Sequence, residues 1–110
     1  MAAIQEISDL EQLESKATRI LYDITKELGE AKCKTDVQCK SLPIGHKSCG
    51  GPANYLVYSV IDSDEKRLLK LSKEHMLVHR QINRIKQLIS TCEMLMPPPV
   101  ACINEKCQLK

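Results

Sequence analysis

The chain has 110 residues, a formal net charge of +2, and 43% hydrophobic against 27% charged residues, the balance of one folded domain. So small a net charge is no footprint of nucleic-acid binding, and no segment approaches the ~20 apolar residues of a membrane span. Trp and Phe are absent and Tyr22, Tyr55 and Tyr58 are the only aromatics of their class, so the core must be aliphatic, in a chain that buries about two-thirds of its unfolded surface.

In chain order, Leu10, Leu13, Ala17, Ile20 and Ile24 recur at steps of three and four, which predicts an amphipathic helix over about 4–28. Gly29 is a helix stop of the usual kind. Residues 30–53 break that period. Within them Gln38-Cys39-Lys40-Ser41-Leu42-Pro43-Ile44 is a candidate short strand, with Pro43 confining it to a sheet edge or ending it. Gly45-His46-Lys47-Ser48-Cys49-Gly50-Gly51-Pro52 is a loop, because adjacent glycines followed by proline force a turn. Residues 54–61, with Tyr55, Leu56, Val57, Tyr58 and Val60, are either a short strand or a helical turn. A second helix is expected over about 62–91, capped by Ser63 or Asp62, with Asp64 and Glu65 in its first turn. Its seam is Leu68, Leu71, His75, Val78, Ile82, Ile85 and Ile89, coiled-coil-like with one histidine in it. Met96-Pro97-Pro98-Pro99 ends helical structure. The tail 92–110 closes with a β-hairpin whose turn at Asn104-Glu105 places Cys102 opposite Cys107.

Charge is unevenly spread. Residues 1–30 carry seven acids and three bases, and residues 62–90 carry four acids and seven bases, so the two helices are complementary neighbours in an antiparallel pair. Under that pairing the run Lys66, Arg67, Lys70, Lys73, Arg80, Arg84 and Lys86 is a solvated face lying against an acidic helix. The other reading is attraction of an anionic partner or of headgroups.

Six cysteines form two clusters, Cys33, Cys39 and Cys49 before the second helix and Cys92, Cys102 and Cys107 after it. An even count in a short chain predicts a disulfide framework and an oxidising compartment. No Cys-x-x-Cys pair is present, which removes the main support for a zinc ribbon or a thioredoxin-like site. The favoured pair is Cys49–Cys92, with the remaining four tying the 33–39 segment to the tail. The N-terminus Met1-Ala2-Ala3-Ile4-Gln5-Glu6 lacks the basic-then-apolar layout of a signal peptide. Export therefore implies that a signal segment has been removed; in a cytosolic chain the cysteines would instead be thiols or metal ligands.

His75 and His79, at i and i+4, are a candidate zinc or copper pair, with His46 within possible reach and Met94-x-Met96 offering soft thioethers. The glutamate of the metalloprotease helix motif is missing between them. The simpler reading packs His75 neutral in the seam and leaves Met94 and Met96 filling gaps in an aromatic-poor core. Catalysis has little to work with: there is no Gly-x-Ser-x-Gly, no P-loop and no dinucleotide fingerprint.

Cys33-x-x-Asp36-x-Gln38-Cys39, Gly45-x-Lys47-x-Cys49-Gly50-Gly51-Pro52-x-x-Tyr55-Leu56-x-Tyr58-Ser59 and Pro99-x-Ala101-Cys102-x-x-x-x-Cys107 together resemble a family of small exported six-cysteine bacterial proteins, many of them predicted lipoproteins. The resemblance covers residues 33–59 and 92–109. It implies export and disulfides, and no activity is assigned to the family. The chain departs from the family in showing no signal segment or lipid-attachment cysteine.

The expectations are these. The fold is mainly α, two long antiparallel helices with a disulfide-stapled loop and a small β-hairpin at one end. The function is that of a non-enzymatic exported module binding or inhibiting a protein or envelope component through Gly45, His46, Lys47, Gly50, Gly51, Pro52 and Tyr55. No cofactor and no nucleic acid are implied. The alternative is a periplasmic metal-binding protein using His75 and His79 with Met94 and Met96.

Overall fold

The computed structural model describes residues 2–87 and 93–110, with side chains in the first helix from Ile7 onward. The elements are α1 (Ala2–Leu28), a single 3-10 turn (Asp36–Gln38), β1 (Cys39–Ile44), β2 (Asn54–Ser59), α2 (Glu65–Lys86), β3 (Val100–Ile103) and β4 (Lys106–Leu109). β1 pairs antiparallel with β2, and β3 with β4, in two separate sheets.

This corrects the mainly α expectation. The protein is a small mixed α/β domain in three layers, with the β1–β2 sheet in the middle. Leu42 and Ile44 of β1 and Tyr58 of β2 are buried in one cluster with Ile20 and Ile24 of α1 and Leu68, Leu71, Val78 and Ile82 of α2. On the sheet's other face Cys39 is buried with Ala31, Cys33 and Cys107, and Val57 packs against that group. Alternation along a strand sends neighbouring residues to opposite faces, and here both faces are covered. Tyr55-Leu56-Val57-Tyr58 therefore lacks the apolar–polar alternation of a half-exposed strand, which is why residues 54–61 were open between strand and helix on sequence alone. The expected strand at 39–44 is present, and its partner is β2.

The helices meet at both ends. Ser63 Oγ donates to Glu27 O at 2.7 Å and the Asp64 N–H to Glu27 Oε1 at 2.7 Å; at the other end Lys86 Nζ lies 2.8 Å from Glu14 Oε1. The cap of α2 is Asp64, whose carboxylate accepts from the Arg67 N–H. Neither expected cap serves, because Ser63 is spent on α1 and Asp62 accepts the Lys32 N–H. α2 ends at Lys86 with Gln87 in the left-handed region (φ 52°); the expected continuation to Thr91 lies largely outside the described residues.

The tail hairpin turns at Asn104 and Glu105, both at positive φ, with Cys102 facing Cys107. Two disulfides attach it, Cys33–Cys102 and Cys39–Cys107. Cys49 is also disulfide-bonded, while the expected Cys49–Cys92 pair involves a residue outside the described ones. Asp36 Oδ1 accepts the Cys102 N–H at 2.8 Å and so ties the Cys33–Cys39 motif to the tail, while Gln38 Oε1 accepts the Lys34 and Thr35 N–H groups and closes the motif's own turn.

Leu42 and Leu68 are both fully buried, and truncating either leaves a cavity between sheet and helices. Leu68→Ala is expected to cost about 2–5 kcal/mol in chemical denaturation, against about 0.5 kcal/mol or less for Tyr22→Ala on the exposed face of α1.

Candidate functional site, a groove beside the stapled loop

Beyond β1 the chain turns at Gly45 (φ 75°) and returns through a closed loop. The Lys47 N–H donates to Gly51 O at 2.9 Å, the Gly50 N–H to Lys47 O at 2.8 Å, and the Ala53 N–H to Ile44 O at 2.9 Å. The loop is pinned to α2 through its backbone. The His46 N–H donates to His79 Nδ1 at 2.7 Å, Asn83 Nδ2 donates to His46 O, and Ser72 Oγ donates to Pro43 O. A Cβ on Gly45 would lie 2.6 Å from His79 Nδ1, so only glycine permits this approach.

Between loop and helix runs a largely apolar groove of about 490 Å³, walled by Pro43, Gly45, Gly51 and Pro52 on one side and Leu69, Ser72, Lys73 and Met76 on the other, with His46 also lining it. Leu69 is 50% exposed although it is apolar and sits on a charged helix. Of the residues expected to form the binding loop, Gly45, His46, Gly51 and Pro52 line this groove. Lys47 and Tyr55 turn instead to the segment before the tail: Lys47 Nζ donates to Glu93 O at 2.9 Å and Tyr55 OH to Leu95 O at 3.1 Å. Gly50 is at the outer turn, with open space around it. The helix wall was missed by the sequence reading, which followed the buried seam. Its signal was there in Leu69 and Met76, apolar residues one position off that seam.

The two expected histidines do come together, with ring centroids 5.8 Å apart. Their ligand capacity is limited. His79 Nδ1 is occupied by the His46 N–H, and His75 Nδ1 is buried without a hydrogen-bond partner. Met94 and Met96 are 82% and 72% exposed, so they do not fill the core. Among the described residues, the group of three or more close potential metal ligands is Cys33, Cys39 and Cys102, whose sulfurs are in disulfides. Burial, then the neighbouring His79, holds His75 below the usual imidazole pKa. Burial, then His46 and Lys86, does the same for His79. At the N-terminal end of α2, Tyr58 OH donates to Glu65 Oε2 at 2.6 Å; burial first, then this carboxylate, pushes the phenol pKa far up.

Comparison with protein-family models, with curated proteins and with solved structures finds no match to this chain.

The His79 contact makes the loop pH-sensitive. Protonation puts a hydrogen on Nδ1, which then faces another N–H donor. The titratable groups that act on it are His46 from the loop and His75 and Lys86 from α2, and among the described residues no carboxylate pairs with it. Because the closed form holds the pKa down, its stability is complete above the ordinary value of 6.5 and is lost as pH falls below it. Amide-exchange protection at His46 is expected to fall between roughly pH 7.5 and pH 5. His79→Gln, which keeps an acceptor without a titratable ring, is expected to flatten that dependence.

Proposed function

We propose that this protein is an exported, non-enzymatic binding module that takes up a protein partner, or inhibits one, in the groove between the stapled loop and α2. The observation that carries the reading is the groove itself: a glycine-dependent loop pinned at its backbone, facing the half-exposed Leu69 and the partly buried Met76. Loops fixed on a rigid scaffold are favoured binding elements, and an apolar concavity with few polar groups is a favoured binding site. Disulfides persist in oxidising compartments, which supports export. So does the resemblance to small exported six-cysteine proteins, which rests on the Cys-Gly-Gly-Pro-x-x-Tyr-Leu motif at residues 49–56. The described residues include no helix long and apolar enough to cross a membrane.

The metal-handling alternative has less support, since His75 and His79 gain no third ligand among the described residues.

A photo-reactive residue at position 69, in protein made by its own cell, is expected to give a discrete protein adduct, and the same residue at position 22 on α1 none. Met76→Asp puts a charge into the helix wall of the groove and leaves the pinned loop; it is expected to cut adduct yield about tenfold. Equal adducts from both positions, no adduct from position 69, or full yield in Met76→Asp with unchanged thermal stability would each contradict the reading.

A further inference from the structure

Resting on the reading of the groove as a protein-binding site, we propose that its partner is an acidic segment with apolar anchors, laid along the solvent face of α2. Lys66, Lys70, Lys73, Leu77, Arg80 and Arg84 follow one another at steps of four and three, and all are exposed. That spacing keeps them in one stripe, about 27 Å long at helical rise. Leu69 and Met76 fall along one edge of this stripe, and Lys73 belongs to both stripe and groove. Glu74 falls on the opposite edge, away from the groove.

Among the described residues no salt bridge involves Lys66, Lys70, Lys73, Arg80 or Arg84. Among the described residues one ion pair joins the two helices, Glu14 with Lys86, at the far end of α2. Glu65 is engaged by Lys40 and Tyr58 on the sheet. The stripe is thus the solvated face expected of a helix lying against the acidic α1, and its cations stand exposed to a partner. Charge complementarity calls for carboxylates on the occupant. The groove calls for apolar side chains at the same time, with Leu69 and Leu77 exposed at 50% and 45%. An amphipathic acidic segment meets both demands in one strip, as helices do in apolar grooves. A phosphate backbone has nothing apolar to insert, and a flat lipid surface does not reach between Pro52 and Met76.

The test uses the full oxidised chain and three synthetic peptides of about 20 residues. One carries glutamates with leucines at helical spacing, one carries lysines in place of the glutamates, and one carries serines in place of the leucines. The first is expected to bind, shifting the amide signals of Gly45, Gly51, Leu69 and Met76, and to weaken as salt is raised. The other two are expected to fail. Lys70→Glu combined with Lys73→Glu, both exposed positions that the fold does not use, is expected to raise Kd about tenfold or more. Equal binding of the lysine peptide, an unchanged Kd in the double variant, or retention on anionic vesicles in place of the acidic peptide would overturn the proposal. Adducts from position 69 in the cell, with none of these peptides binding, would leave the groove standing and remove the acidic partner; loss of both would remove the groove reading itself.

Discussion

Cys39 opens β1 with its sulfur bonded to Cys107 in β4, and six residues earlier Cys33 is bonded to Cys102 in β3. The hairpin these bonds hold is two strands of four residues, below what stands alone in water. Its apolar contribution is small, with Val100 and the half-cystines meeting Ala31 and Val57. Each bridge spans a sequence separation near 70 residues (69 and 68), and closing a first loop of that length is worth roughly 4 kcal/mol in the chain-entropy picture. The second closes a far shorter loop once the first exists, so the two are not additive. Their joint effect is to make the tail a fixed cover for one face of the middle sheet.

That cover decides what the sheet can do. A two-stranded ribbon with an open face would be a marginal element and a pairing hazard. With helices on one face and the bridged tail on the other, β1 becomes a rigid strut between two anchored ends. At one end is the Cys39 bridge. At the other, Ile44 is buried in the helical cluster and Gly45-His46 is pinned to His79 and Asn83. The loop wall of the groove is thus positioned from behind by β1 rather than by contacts of its own tip. Preorganisation of this kind lowers the ordering cost of any association at the groove.

Much of this was legible in the residues and some was not. The three–four stripes of both helices over the described residues, the break at Gly29, and the hairpin centred on Asn104-Glu105 follow from local rules that tertiary context did not override. The middle sheet was hidden for a physical reason. Lys40, at the start of β1, faces the helices and is satisfied there by Glu65, so a charge falls where alternation would place an apolar residue. Residues 54–59 have both faces covered, and covered strands lose the period-two signal. His75 was correctly placed in the seam, but nothing local reveals that His79 accepts a backbone N–H from a residue 33 positions earlier. Glycine at position 45 marked a turn; the close approach of a ring to its α-carbon exists only in three dimensions.

The central claim is that the tail is bonded to the β1 side of the middle sheet through Cys33–Cys102 and Cys39–Cys107. The direct measurement is peptide mapping by mass spectrometry of the oxidised protein, alkylated before digestion without reduction. The account predicts linked peptides for those two pairs and no alkylation at any of the four cysteines. Alkylated Cys33, Cys39, Cys102 or Cys107, or a local Cys33–Cys39 or Cys102–Cys107 link, would detach the tail from the sheet and contradict it.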